Sequence, residues 1–409
     1  MRRITVLFLA LFLVLGVGVI SAQKITLTVA LMSSDAPETY DKLMRTFEEQ
    51  NSDISIDFTS LPDDVEAFMM PKAASGELPD FLSINGGSFG SDLVEKGLIL
   101  DLRGTFAEKN TVDAVKPQFT SPSGKLFGIA GGVSTTVIYY QVKVFKDLGL
   151  TPPENWEDFL VLCEKLKKAG KTAIIMTPAD GTIANTMWSW GFANNVVAKY
   201  PDYAKRFRAG TMPLDTPEFA DVWAKAKVLY DKGYTQEGAV STLYMDGNQM
   251  YIQGKSAQHF AGSWLAGSLL KTDFDTGIYM PPWNAKGKTK VPIVATETGW
   301  AVAEGPHKKQ ALRFLDFMAG KGFYIYQNGR GNIPMLKDPM GPVSLDQRMK
   351  DYLNKLYSYK QTSGLWFEFI PAATMQLIPK LYQEVLLGQK TPREAAAAFD
   401  KAAKDAVKK

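Results

Sequence analysis

Residues 124–159 read GKLFGIAGGVSTTVIYYQVKVFKDLGLTPPENWEDF, and this segment orders the chain on either side of it. Ser123-Gly124 marks a reversal, and Gly131-Gly132 is a break before the β-branched and aromatic run from Val133 to Val144, which predicts a strand. Gly149 and the Pro152-Pro153 pair close the next short piece. Asn155 can then cap a helix, with Asp158 three residues on as its box partner. Trp156, Phe159, Leu160, Cys163 and Leu166 fall at helical spacing on one apolar face, and Gly170 ends the run.

The chain has 409 residues, enough for two or more domains with sizeable cores. Hydrophobic residues make up 45% and charged residues 22%, the balance of a globular protein. The net charge of +3 owes two units to Arg2 and Arg3, and the remaining charges are interleaved, so no footprint for nucleic acid is present. Residues 1–22 read as an export signal: two arginines, an apolar run from Ile4 to Ile20, then Ser21 and Ala22. The run is long enough that an uncleaved anchor is the alternative, and Arg2-Arg3 is a weak twin-arginine feature. With no cysteine near the cleavage point, anchoring through a lipidated cysteine is not expected. The single cysteine, Cys163, cannot form an intramolecular disulfide and is expected to be a buried structural thiol. A periplasmic or extracellular location follows.

Past the signal, Ile25 to Leu31 predicts a strand. Tyr40, Leu43, Met44 and Phe47 mark a helix face, and Ile54 to Phe58 a second strand, the start of an α/β sheet. Gly76-Glu77-Leu78-Pro79-Asp80 introduces a strand at Phe81 to Ile84, then the loop Asn85-Gly86-Gly87. Ala173 to Met176 predicts a short strand, Trp188 and Trp190 lie in an aromatic helix, and Pro217 to Gly233 is amphipathic. Gly277 to Pro282 predicts a strand, as does the piece after Glu297-Thr298-Gly299-Trp300. Ala311, Phe314, Leu315 and Met318 mark a helix. Near the end, Thr391 is a cap, Pro392 the first helical residue and Glu394 the box partner.

The ordered set Gly124-Lys125, Phe127-Gly128, Tyr139-Tyr140, Lys143, Phe145, Gly149-Leu150, Pro152-Pro153, Trp156 and Phe159 resembles the family 1 extracellular solute-binding proteins of bacterial ABC importers, the maltose-binding-protein-like class. Gln141 stands where that family usually has Asn, and Ala130 where it often has Pro. Residues 76–80 resemble its GE-x-PD motif, residues 97–102 its G-x-L-x-DL, residues 251–267 (YIQGKSAQHFAGSWLAG) its GKAAM…GSW signature, and residues 331–334 its late G-x-x-P. The resemblance implies an α/β, two-lobe periplasmic-binding-protein fold of type II, with mixed sheets flanked by helices and three hinge crossings. One lobe would hold 24–130 and 292–330, the other 131–291 and 331–409. It further implies capture of a carbohydrate, an oligosaccharide rather than a free hexose, by a monomer that delivers it to a membrane permease whose ATPase is a separate chain. No cofactor is implied.

Eight tryptophans against two histidines suit binding better than acid–base chemistry. Sugar rings present C–H faces to aromatic planes and hydroxyl edges to charge-assisted hydrogen bonds. Trp264 after Gly262-Ser263 is the leading candidate, because the matching family residue stacks on sugar. Trp300 at a strand entrance and Trp366 in a segment that borders the family's cleft weigh equally between cleft and core. Trp188 and Trp190, two apart on a helix, cannot face the same way, so at most one lines a cleft. Trp283 fits a cleft or a hinge, whereas Trp156 and Trp223 belong to helix faces and core. Ser34 and Asp35 end the first strand, where α/β sheets place ligand contacts, and Asn85 holds the same place later. Glu297 and Arg330 complete the set, against a reading as solvated surface charges.

Gly86-Gly87-Ser88-Phe89-Gly90 is a literal G-x-S-x-G, so a secreted α/β-hydrolase with nucleophile Ser88 and either His259 or His307 is the competing class. A binder of a non-sugar solute on the same fold is another. The Gly-Lys-Ser/Thr triplets at 170–172, 254–256 and 287–289 lack the P-loop's first glycine, since Lys165, Gln249 and Pro282 stand there. No Cys/His cluster has zinc spacing and no EF-hand loop is present, so no metal is expected.

Overall fold

The structure, a computed structural model, describes residues 24–33, 36–61, 65–179, 181–203, 206, 211–330, 333–335, 345–364, 374 and 377–407. The signal expectation at residues 1–22, Ser34, Asp35, Trp366 and the Gly331-Asn332 part of the late motif therefore lie outside the described residues.

Strands follow the β-branched runs: Ile25–Met32 (β1), Ile54–Leu61 (β2), Phe81–Ile84 (β3), Val133–Ser134 (β4), Thr136–Gln141 (β5), Gln258–Gly262 (β6), Thr276–Tyr279 (β7), Ala295–Thr296 (β8) and Gly299–Val302 (β9). They form one four-stranded sheet in the order β2-β1-β3-β9, one three-stranded sheet in the order β6-β5-β7, and the pair β4-β8. In the first sheet β1 runs parallel to β2 and β3, with Val29 opposite Phe81, while β9 is antiparallel to β3, with Ser83 opposite Trp300. In the second, β5 is antiparallel to both neighbours. The architecture is thus α/β with mixed sheets flanked by helices.

The helices that cover the first sheet include Pro37–Gln50 (α1), Lys308–Met318 (α2) and Lys321–Arg330 (α3). Tyr40, Leu43, Met44 and Phe47 are all buried on α1, as their spacing predicts. Phe314 of α2 meets Phe47 and Phe81 edge-on at 4.9 and 4.7 Å, closing helix onto strand. The second sheet carries its own aromatic core, built from helices 181–192, 217–231, 377–386 and 392–407. There Trp188 stacks on Phe192 at 5.0 Å, Trp223 meets Tyr382 at 4.8 Å, and Phe399 lies 5.2 Å from Trp188. Both caps form as the residues predict. The Asp158 amide donates to Asn155 Oδ1 at 3.0 Å. In the box at the last helix, the Glu394 amide donates to Thr391 Oγ1 at 3.2 Å and the Thr391 amide to Glu394 Oε2 at 2.7 Å. Cys163 is fully buried, and that burial pushes its thiol pKa up.

Two strand expectations are corrected. The run to Val144 stops at Gln141, whose partner Thr276 is the first residue of β7; after one more backbone bond, from the Val142 amide to the Asp275 carbonyl, Val142–Asp147 turns helical and Phe145 tucks against Tyr140 at 4.4 Å. Ala173–Met176 pairs only through an Ile175–His259 bridge, because the Gln236 side chain occupies both backbone groups of Met176.

Among the described residues, passages of chain from three parts of the sequence meet at Val133. It pairs with Thr296 in β8 and bridges Ile333, while Ile129 just before it bridges Trp300. The Gly-Gly break is explained here: a Cβ on Gly131 would lie 2.5 Å from the Thr298 carbonyl oxygen, so only glycine lets the passages run this close.

Candidate functional site

Several of the polar and aromatic candidates lie on the segments around the seam where these passages meet. Strand β6 delivers Gly262 and Ser263 into a short turn that presents Trp264. The passage residue Thr135 fixes that turn in both directions: its amide donates to Ser263 Oγ at 3.1 Å, and the Ser263 amide donates to its carbonyl at 2.8 Å. The Trp264 indole is half-buried, and its N–H donates to Tyr244 Oη at 2.8 Å. Its ring lies over Gly262 so closely that a Cβ there would fall 2.1 Å from it. One edge and part of one face are therefore fixed by protein, while part of the ring stays exposed.

On the first-sheet side, Thr296 and Thr298 flank buried Glu297 between β8 and β9. Thr298 Oγ1 donates to Asn85 Oδ1 at 2.9 Å and Thr296 Oγ1 to Gln118 Oε1 at 2.6 Å. All four residues are half-exposed. Ser33, at the end of β1, is buried and donates to Ser60 Oγ at 2.7 Å.

Glu297 and Arg330 come together in the structure, and neither is solvated. Both are buried, with Arg330 Nη2 3.6 Å from Glu297 Oε2. Arg330 Nη1 also donates to Tyr326 Oη at 2.6 Å and Tyr40 Oη at 3.2 Å. The turn after Trp264 packs on this group, since a Cβ at Gly267 would lie 2.9 Å from the Arg330 carbonyl oxygen.

The other tryptophans are enclosed by protein. Trp300 is buried in β9 with Tyr326 edge-on at 5.2 Å. Trp283 sits among Trp156, Phe159 and Phe260 at 5.4 to 5.8 Å, and Trp188 lies in the second aromatic core. These three rings are buried in this structure. Trp190 is equally buried and donates its N–H to Thr136 Oγ1. Tyr244, Gln118, Thr296 and Thr298 were not singled out from sequence. A hydroxyl in a β-rich segment carries no local mark of what it faces.

The G-x-S-x-G serine is exposed at the start of the helix Ser88–Glu95. His259 is buried in β6 with Nε2 on Asn248 Oδ1 at 2.7 Å, and burial pushes its pKa down to about 3. His307 Nδ1 lies 3.3 Å from Asp80 Oδ2. Among the described residues, each imidazole thus engages a partner other than Ser88, so the hydrolase arrangement does not assemble.

The chain belongs to the bacterial extracellular solute-binding protein family, whose model matches residues 42–338. The "Multiple sugar-binding protein" of Streptococcus mutans serotype c is 21% identical over 314 residues, covering 72% of this chain and 71% of that one. Among solved structures, "SBP RafE in complex with raffinose" superposes with a TM-score of 0.81 at 19% identity, over 93% of this chain and 100% of the other. "Chitin oligosaccharide binding protein" gives 0.82 at 21%, over 94% and 100%. These likenesses establish the two-lobe solute-binding fold, and the family is one of extracellular receptors rather than enzymes.

Proposed function

We propose that the chain captures a carbohydrate, an oligosaccharide rather than a free hexose, at the seam between its lobes and delivers it to an ABC transporter permease. The observation that carries this reading is Trp264: a half-buried indole held by Tyr244 and Gly262, on the turn that Thr135 fixes beside the passages. A partly exposed aromatic plane matches the face of a sugar, and the amide and hydroxyl groups of Asn85, Gln118, Thr296 and Thr298 are of the kind that bond its edges. The sugar-binding names carried by the relatives support the same class.

One lobe comprises residues 24–130 and 292–330, the other 131–291 and 331–409, and the passages at Val133 act as the hinge. Ligand favours the closed form by as much as it binds that form better, and the closed form docks on the permease. The ATPase is a separate chain, the receptor acts as a monomer without catalysis, and residues 1–22 direct export to the periplasm or cell exterior without a lipid-modified cysteine.

Intrinsic fluorescence of the purified chain, titrated with mono- and oligosaccharides, tests the assignment. A saturable change for one related set, weakened at least about tenfold by Trp264→Ala, is expected. Silence across the panel in fluorescence, calorimetry and thermal shift together would overturn the sugar reading.

A further inference from the structure

We propose that Lys290 is a nucleophilic amine that captures small hydroxyaldehydes, including the open-chain form of short reducing sugars, as an imine in a groove separate from the Trp264 seam. The groove holds about 370 Å³ between the Pro152-Pro153 loop, strand β7 and the helix Gln347–Tyr357, with Tyr140, Tyr279, Glu154 and Lys355 among its walls. Lys290 borders this space although it is only 4% exposed.

Its nitrogen is poorly held for a buried lysine. Glu154 Oε2 lies 3.6 Å away, beyond hydrogen-bond length, while the other Glu154 oxygen accepts from Lys355 at 2.8 Å. Lys225, equally buried, instead makes a short contact with Asp221. The other charges on the groove do not make up the difference. Arg348 is committed to Asp346 and to the carbonyls of Thr276 and Leu270, and Asp351 accepts from Gln347. Burial, aided by the Lys355 charge, outweighs the attraction of Glu154 and pushes the Lys290 amine down to about 8. At pH 7.4 about a fifth of it is then neutral, against roughly one part in a thousand for an ordinary lysine.

The chemistry balances without a further reactant. The neutral nitrogen adds to the aldehyde carbon, and its proton passes to the oxygen to give a carbinolamine. Loss of one water then forms the C=N bond, with no oxidation or reduction. Glu154 is close enough to take that proton and return it to the departing hydroxyl. The tyrosine rings offer an apolar wall to the carbon chain, and Lys355 a donor to its hydroxyls.

The test is reductive trapping on the purified full chain, with glycolaldehyde and cyanoborohydride at pH 7.4, read by peptide mass spectrometry over time. Labelling at Lys290 is expected about tenfold faster than at Lys143 and Lys401, each 80% exposed. The Lys290 rate should level off near pH 8, while that of Lys401, whose pKa Asp405 raises, goes on rising beyond it. Equal or slower labelling at Lys290, or a rate that climbs with the others, would overturn the proposal. Because this readout uses no carbohydrate titration, it stands or falls independently of the seam assignment.

Discussion

Trp264 and Tyr244 are joined by an indole N–H to phenol hydrogen bond of 2.8 Å, which ties the turn after β6 to the first turn of the helix Tyr244–Ile252. That bond sets the plane of the ring before any solute arrives. Removing only its acceptor, as Tyr244→Phe, should weaken oligosaccharide binding several-fold, about 1 kcal/mol, with the folded state retained. Calorimetry beside circular dichroism checks both parts, and an unchanged Kd would remove Tyr244 as the orienting group.

Gly262 leaves the ring its place. Gly262→Ala puts a methyl 2.1 Å from the indole, so the ring must swing out or the strand must shift. A stability loss of about 1–3 kcal/mol by urea denaturation is expected. It should be accompanied by a shift in tryptophan emission and by loss of the fluorescence response to ligand.

The Glu297–Arg330 pair is buried on both sides. Arg330→Met strands a carboxylate in the interior and should cost about 3–5 kcal/mol in urea unfolding. The double change Arg330→Met with Glu297→Gln removes the stranded charge and should recover part of that loss, which a double-mutant cycle would show as coupling.

His259 makes stability depend on pH in a defined direction. Its folded pKa of about 3 lies below the unfolded value near 6.5, so between these the unfolded chain binds the extra proton. The contribution is complete above pH 6.5 and is lost as pH falls, by at most about 1.4 kcal/mol per pH unit. Unfolding measured from pH 6.5 to 5, above the usual carboxylate range, isolates it, and His259→Gln should flatten the slope there.

Features that rest on residues near one another in the chain were legible before folding was considered. The Asn155 and Thr391 caps, the buried face of Tyr40, Leu43, Met44 and Phe47, and the strands at Ile25 and Phe81 all formed where spacing placed them. Capping and periodicity are satisfied within a turn or two, so local order suffices to read them. Tertiary structure alone decided where the β-rich run ends, since Gln141 is the last residue with a partner across in β7. It also decided which rings are enclosed. Trp300 is covered by Tyr326 and Trp283 by Trp156 and Phe260, while Trp188 is packed against Phe399, two hundred residues on. A tryptophan carries the same apolar surface into a core or a cleft, and only the neighbours that the fold brings to it determine which face is left for a solute.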